Sequence, residues 1–234
     1  MITLNHNLTR VVINPDEGAW VTELIVDSKQ ILFPRSDLKN ASGELKARGG
    51  MHVCLPNFGP GGESGLAQHG FGRTSSWSIV QQNESSAVLE LQAPDEYAGL
   101  VAQVEYTVEQ NSFGARLSLT NRGSASLRVA PGFHPYFALE PSETAVTVNG
   151  ESIELSDLAG TEYRNADSAE LVTAKQHLVL ATENLSTWAI WTDQLGSYVC
   201  VEPTFGGNRF LEPKQPDEQL APGETKTYVV RVSW

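Results

Sequence analysis

Two residues suited to proton transfer each lie beside a proline in apolar segments of this 234-residue chain. His134 lies in the aromatic segment 133–137, and Glu202 follows the apolar run 198–201 and precedes Pro203. An imidazole with an ordinary pKa near 6.5 and a carboxylate can together donate and accept protons near neutral pH. Each residue alone is equally consistent with a structural role: a hydrogen-bonded histidine at a strand end, and a solvated charge where a strand gives way to a loop.

A glycine-containing segment, residues 68–73, carries three polar side chains: Gln68, His69 and Arg73. A second arginine, Arg48, directly precedes two glycines. Glycine lets a backbone approach a ligand closely, and a guanidinium group can hold an anion through two parallel hydrogen bonds. The segment lacks the Gly-Lys-Ser/Thr sequence of a phosphate loop, so alone it is compatible both with ligand binding and with structural salt bridges.

Other kinds of chemistry find little support in the residue spacing. The five histidines show no helical i, i+4 pairing, which disfavours a zinc site, and we expect no bound metal. Neither Cys54 nor Cys200 lies in a recognisable nucleophile motif, and the chain has no Gly-x-Ser-x-Gly sequence.

Strand patterns dominate the chain, so strands must position the candidate residues. Alternating apolar residues predict ten strands, at 10–13, 20–26, 87–91, 101–108, 115–119, 127–130, 145–148, 177–180, 187–191 and 228–232. Asn149-Gly150 predicts a hairpin turn, because both residues tolerate positive φ. Residues 157–169 are compatible with a short turn of helix, and segments 48–73 and 202–216 are predicted to be long binding loops. The pattern as a whole predicts an all-β sandwich.

Length and composition predict one globular domain over residues 1–234. A formal net charge of −12 would repel phosphate backbones and anionic lipids, so we expect neither a nucleic-acid partner nor a membrane partner. Only two cysteines, with neither a signal peptide nor an apolar run long enough to span a bilayer, predict a cytoplasmic protein. The sequence gives no indication of the oligomeric state.

Four segments, taken in order, resemble the aldose 1-epimerase (mutarotase) family: residues 48–60, 68–73, 133–137 and 199–203. The first two are most similar to its hexose-6-phosphate mutarotase branch, and the resemblance covers essentially the whole chain. It implies the family's large antiparallel β-sandwich, the galactose mutarotase-like supersandwich. It also implies a small-molecule sugar or sugar phosphate as the binding partner, with no metal or organic cofactor.

The resemblance implies roles for six residues. His134 and Glu202 correspond to the family's acid and base, while Arg48, Gln68, His69 and Arg73 correspond to substrate-binding residues, with the two arginines on a 6-phosphate. The implied reaction interconverts the α and β anomers of an aldose: a base removes the C1 hydroxyl proton while an acid protonates the ring oxygen. This scheme uses a protonated His134 and an ionised Glu202.

The chain departs from the family pattern between its acid and its base. The interval from His134 to Glu202 is shorter than in the family, and the usual Thr-Asp-Arg-aromatic motif is matched only by Thr-Glu-Tyr-Arg at residues 161–164. The tryptophan-centred segment before the base strand reads Trp-Thr-Asp-Gln at residues 191–194. Two alternatives therefore stay open: a mutarotase for unphosphorylated aldoses, and a non-catalytic carbohydrate-binding module of the same fold.

Overall fold

The computed structural model of the chain describes residues 1–158 and 160–234. In chain order, the first eleven strands are β1 (Ile2–His6), β2 (Thr9–Asn14), β3 (Trp20–Val26), β4 (Lys29–Gln30), β5 (Ser36–Lys39), β6 (Leu45–Arg48), β7 (Met51–Cys54), β8 (Ser78–Gln82), β9 (Ser86–Gln92), β10 (Leu100–Glu109) and β11 (Ser112–Asn121). The remaining eleven are β12 (Leu127–Arg128), β13 (Gly132–Ala138), β14 (Ala145–Val148), β15 (Glu151–Glu154), β16 (Glu162–Asn165), β17 (Ser168–Val172), β18 (His177–Glu183), β19 (Thr187–Trp191), β20 (Tyr198–Thr204), β21 (Gln219–Leu220) and β22 (Thr225–Ser233). Five three-residue 3₁₀ helices accompany them, at Gly62–Ser64, Asp95–Tyr97, Leu155–Asp157, Arg209–Leu211 and Pro216–Glu218. No helix within the described ranges has the length and apolar character needed to cross a bilayer.

Two nine-stranded antiparallel sheets form most of the molecule. The first sheet has the order β1-β2-β3-β7-β13-β20-β19-β16, with β4 paired to β3. The second has the order β15-β14-β17-β18-β22-β11-β10-β9-β8, and β5-β6 and β12-β21 form two small sheets. One apolar core joins both large sheets, with residues such as Val53 and Phe133 from the first and Val104 and Leu117 from the second. The predicted antiparallel β-sandwich is confirmed.

The predicted strands all coincide with or overlap observed strands, and the Asn149-Gly150 hairpin joins β14 to β15 with both residues at positive φ. The suggested helical turn at 157–169 is wrong. A 3₁₀ helix ends at residue 157, and β16 and β17 follow it; residue 159 lies outside the described residues. In β17 buried and exposed residues alternate. Ala169 and Leu171 both pack in the core because the chain is extended there and places them on the same face.

The prediction that segments 48–73 and 202–216 are loops is wrong in part. Residues 51–54 form β7, and β20 continues through Glu202 to residue 204. Both segments contain glycines and prolines, and proline cannot donate a ladder hydrogen bond and is normally excluded from a central strand. Pro135 in β13 and Pro203 in β20 nevertheless lie in central strands. There β13 pairs with β7 and β20 pairs with β19, whereas the ladder between β13 and β20 is interrupted at residues 133–135.

Candidate active site

One face of the first sheet carries the candidate catalytic residues. Because side chains alternate along a strand, odd-numbered residues of β7, β13 and β20 lie on one face and even-numbered residues on the other. Odd-numbered residues such as Val53, Phe133 and Val201 belong to the apolar core. The even-numbered residues on the opposite face include His52, Cys54, His134, Tyr136, Cys200 and Glu202, all of which are buried.

His134 and Glu202 face each other across the interruption in the ladder. The register on either side of it sets the two residues opposite one another, and Nε2 of His134 lies 3.3 Å from Oε2 of Glu202. The side chains are buried, with 4% and 2% exposure. Neither Oε2 of Glu202 nor Nδ1 of His134 has a hydrogen-bond partner among the described residues. An unpartnered buried polar atom costs about 1–3 kcal/mol, so these atoms are well suited to bind a polar ligand.

A cavity of about 440 Å³ contains this pair. That volume lies within the range of roughly 300–1,000 Å³ typical of small-molecule sites. All six residues singled out from the sequence line it: Arg48, Gln68, His69, Arg73, His134 and Glu202. Residues from four separate segments of the chain therefore come together in one cavity.

A second cavity of about 480 Å³ is slightly larger but has different chemistry. Its lining includes Glu140, Glu143 and Glu154, and the described residues contribute no histidine, lysine or arginine to it. The carboxylate of Glu143 is already engaged, since it accepts hydrogen bonds from the backbone N–H groups of Glu140 and Ala174. We therefore assign the candidate chemistry to the first cavity.

Several cavity residues escaped the sequence analysis: Tyr136, Tyr163, Trp191 and Asn208. Strand alternation could have identified Tyr136, because it lies two residues after His134 on the same strand. Tyr163, in β16, belongs to the segment 161–164 that only partly matches the family motif, and no local pattern marks Asn208, which lies in the loop after β20. The Tyr163 hydroxyl donates to Oδ1 of Asn208 at 2.7 Å, and burial raises the pKa of Tyr163 to about 12, so this hydroxyl stays protonated.

The two cavity arginines differ in their ionic partners. Nε of Arg48 donates to Oδ2 of Asp193 at 2.8 Å, and its guanidinium carbon lies 5.4 Å from the ring centre of Trp191. The Tyr198 hydroxyl donates to the other carboxylate oxygen of Asp193. Arg73 forms no ion pair with any residue that the structure describes. Arg73 is thus the better placed of the two to bind an anionic ligand.

Three buried imidazoles are grouped in the site. The ring centres of His52 and His69 lie 4.8 and 5.0 Å from that of His134. Burial, with a contribution from Arg73, lowers the pKa of His52 well below 6.5 and that of His69 to about 3. The backbone N–H of Gly59 donates to Nδ1 of His69 at 3.4 Å, and Nε2 of His69 lies 3.3 Å from the amide nitrogen of Gln68. His69 is therefore a neutral polar side chain at the cavity.

Burial disfavours the charged forms of His134 and Glu202. Desolvation raises the pKa of Glu202 well above 4.5, and desolvation together with His52 lowers the pKa of His134 well below 6.5. Burial thus disfavours the charged form of both side chains, so the predicted arrangement, a protonated His134 beside an ionised Glu202, is not favoured in the unliganded site. Hydrogen bonds from a bound ligand to the carboxylate would favour the charged pair again.

We expect the imidazole of His134 to be neutral at pH 6.5, where an unperturbed histidine is half protonated. Its lowered pKa requires a more acidic solution for protonation. A ¹⁵N NMR titration of the sugar-free protein measures this directly, with the resonance assigned by its disappearance in His134→Gln. A protonation midpoint at or above pH 6.5 would contradict the prediction.

We expect Glu202→Gln to stabilise the fold by about 1 kcal/mol or more near neutral pH. Because burial raises the pKa of Glu202 in the folded state, its contribution to stability is fully present below pH 4.5 and is lost as the pH rises through the folded pKa. Glutamine does not titrate, so the gain should grow with pH. Urea unfolding at pH 4 and pH 7.5 tests this, with Glu183→Gln, an exposed position in β18, as the matched control. A gain that is equal at both pH values would contradict it.

Comparison with known proteins places the chain among proteins of matching architecture. A family model described as "Aldose 1-epimerase" matches residues 1–169, well over half of the chain. A galactose mutarotase-like protein from Lactobacillus casei superimposes with a TM-score of 0.80 at 17% identity, covering 100% of this chain and 99% of that chain. A galactose mutarotase related enzyme from Lactobacillus acidophilus gives 0.79 at 19% identity, with coverages of 99% and 96%. These two likenesses show the fold.

One curated protein matches a shorter stretch. The protein named "Putative glucose-6-phosphate 1-epimerase" from Salmonella typhimurium is 46% identical over 59 residues, which is 25% of this chain and 20% of that protein. The match therefore spans about a fifth of the relative's length. The family match, by contrast, covers most of the chain, including His134 and the segment 68–73. The chain belongs to the aldose 1-epimerase family.

Proposed function

We propose that the protein interconverts the α and β anomers of a hexose, with a hexose 6-phosphate as its preferred substrate. The observation that carries this proposal is the buried pair of His134 and Glu202, 3.3 Å apart, in a cavity that Arg73 also lines. Membership of the aldose 1-epimerase family supports the anomeric chemistry. The short match to the Salmonella protein supports the phosphorylated substrate.

The close approach of the two side chains suits the atoms on which they would act. The hydroxyl oxygen O1 and the ring oxygen O5 are both bonded to C1, so neighbouring groups can reach both of them. Glu202 would take the O1 proton while His134 gives a proton to O5, and the C1–O5 bond breaks to leave an open-chain aldehyde. Rotation about C1–C2 and the reverse transfers close the ring on the other face, returning both protons.

The proton must pass from Glu202 to His134 before this step. In the sugar-free site the carboxyl is the favoured holder of the proton, because burial raises its pKa and lowers that of the imidazole. A sugar hydroxyl that donates to the unpartnered Oε2 of Glu202 would stabilise the carboxylate. Substrate binding would thereby generate the acid and the base that the reaction needs.

Neutral polar side chains on the cavity wall would hold the other sugar hydroxyls. The imidazole of His69 and the amide of Gln68 lie together on one side, with 3.3 Å between their Nε2 atoms. Tyr163 and Asn208 line the same cavity and are joined by their own hydrogen bond. We propose that this second pair contacts the sugar in place of the aspartate that the family motif would supply.

A phosphate would be held chiefly by Arg73. The chain carries a net charge of −12, so an anionic substrate depends on local cations rather than on the overall field. Arg48 lines the cavity too, but Asp193 already offsets its charge. Arg73 has no such partner among the described residues and can offer its full charge to the ligand.

The rate at which freshly dissolved α-glucose 6-phosphate, α-glucose and α-galactose reach anomeric equilibrium tests the proposal. NMR spectroscopy of the C1 proton follows all three sugars, with the uncatalysed rate in the same buffer as the reference. Faster catalysis of the phosphorylated sugar is expected. Equal or faster catalysis of the free sugars would favour a mutarotase for unphosphorylated aldoses, and binding without acceleration would favour a carbohydrate-binding module.

We also propose that residues 1–234 act as one domain in the cytoplasm. A single apolar cluster includes residues from Ile2 to Val232, so strands from both ends of the chain share one core. Both cysteines are buried free thiols, which suits a reducing compartment.

A further inference from the structure

The candidate active site contains a sulfur atom for which the anomeric reaction has no use. Cys200 precedes Glu202 by two residues in β20, so its side chain lies on the same face of the sheet, next to His134 on the neighbouring strand. A nitrogen of His134, Sγ of Cys200 and a carboxylate oxygen of Glu202 all lie within 4.8 Å of one another. All three residues are buried.

A second observation indicates that this cluster has unused capacity to bind a ligand. Oε2 of Glu202 and Nδ1 of His134 have no hydrogen-bond partner within the described ranges, although both are shielded from solvent. The spacing of histidines within one segment disfavours a metal site, but it does not record ligands that come from different segments. Here they come from two strands that only the fold brings together, which no local motif records.

We propose that His134, Cys200 and Glu202 bind a thiophilic divalent cation of the zinc type, and that the cation and the sugar exclude each other. One nitrogen, one sulfur and one oxygen form the mixed donor set that Zn²⁺ accepts. The thiol of Cys200 and the carboxyl of Glu202 would each release a proton to solvent. Their two negative charges would then balance the charge of the cation, so the buried complex would be neutral.

The geometry needs only a small adjustment. Zinc binds nitrogen and oxygen at about 2.0–2.2 Å and sulfur at about 2.3 Å, so ligand atoms around a tetrahedral ion lie roughly 3.3–3.8 Å apart. The separation of 3.3 Å between His134 and Glu202 already fits, and the longest separation in the cluster would shorten by about 1 Å. Three protein ligands leave one coordination position, facing the cavity, for water.

The surroundings of the cluster include other imidazoles and two arginines. The ring centres of His52 and His69 lie 4.8 and 5.0 Å from that of His134. Arg48 is paired with Asp193, whereas Arg73 would repel the cation. Mutual exclusion follows because the cation would occupy the same atoms of His134 and Glu202 that the sugar needs. Only this exclusion rests on the proposed function; cation binding does not.

Titration of Co²⁺ into the intact protein tests the binding site without any activity assay. A thiolate bonded to Co²⁺ gives a charge-transfer absorption in the near ultraviolet that oxygen and nitrogen ligands do not give. We expect a band that saturates at one equivalent, is abolished by Zn²⁺, and is absent from Cys200→Ser and Cys200→Ala. Cys54→Ser is the matched control, because Cys54 is the other buried thiol and lies 3.4 Å from Nδ1 of His69.

Specific outcomes of the cobalt titration and of zinc inhibition would overturn the proposal. Absence of the band in the folded wild type, or its persistence in both Cys200 variants, excludes the site. Loss of the band in Cys54→Ser alone would assign the cation to Cys54 and His69 instead. If glucose 6-phosphate binds, it should remove the cobalt band, and a band unchanged at saturating sugar phosphate would refute the exclusion. Where the wild type is active, Zn²⁺ should inhibit it at least tenfold more tightly than it inhibits Cys200→Ser.

Discussion

Replacing Glu202 with glutamine is expected to slow catalysed anomerisation by about 10²- to 10⁴-fold, the usual contribution of one general acid or base. Glutamine keeps the shape of the side chain but cannot accept the O1 proton. The variant also lacks the carboxyl proton, and burial disfavours protonation of His134, whose Nε2 lies 3.3 Å from Oε2 of Glu202 in the wild type. His134→Gln is expected to cause a loss of similar size.

Equilibration of α-glucose 6-phosphate measured by NMR checks this prediction, with the spontaneous rate subtracted. Since the two residues act as a unit, the double variant should lose little more than either single variant. Glu183→Gln, at an exposed position in β18, makes the same change of charge outside the site and should keep the wild-type rate. A loss below tenfold in Glu202→Gln would show that another group acts as the base.

The fold was largely predictable because its physical cause is repeated along the chain. Alternating apolar residues and turn sequences identify strands wherever one face packs on the core and the other meets solvent. β10 and β11 follow this pattern over ten residues each, and both were predicted. The pattern fails for β13 and β20, which are buried on both faces and interrupted by proline.

Part of the site was predictable in membership, but Tyr136, Tyr163, Trp191 and Asn208 were not selected and the electrostatic state was not predicted. All six residues selected from the sequence line one cavity, because strand and loop segments that carry them converge there. Pairing of Arg48 with Asp193, far apart in the chain, depends on packing that no local pattern records. The same holds for the protonation of His134 and Glu202, since burial sets the direction of both pKa shifts. A sequence shows which groups can titrate, but burial in the fold determines their charge.

Removing Arg73 is expected to separate recognition of the phosphate from the chemistry. A hydrogen bond to a charged group contributes about 1.5–3 kcal/mol, so Arg73→Ala should lower kcat/KM for glucose 6-phosphate by about 10- to 100-fold, mainly through KM. Glucose and galactose carry no phosphate and should change by less than about twofold. Arg48→Ala should instead affect all three sugars, because it leaves Asp193 without its ion pair in a partly buried position.

Initial rates over a range of sugar concentrations distinguish these effects. Arg122→Ala removes the same charge at an exposed position outside the cavity lining, so it controls for the change in the overall field. A phosphate held by Arg73 should also bind more weakly at high ionic strength, and this salt dependence should shrink in Arg73→Ala but not in Arg122→Ala. Equal losses for phosphorylated and free sugars in Arg73→Ala would assign the arginine to positioning His69 or the sugar ring, and would remove the main support for a phosphorylated substrate.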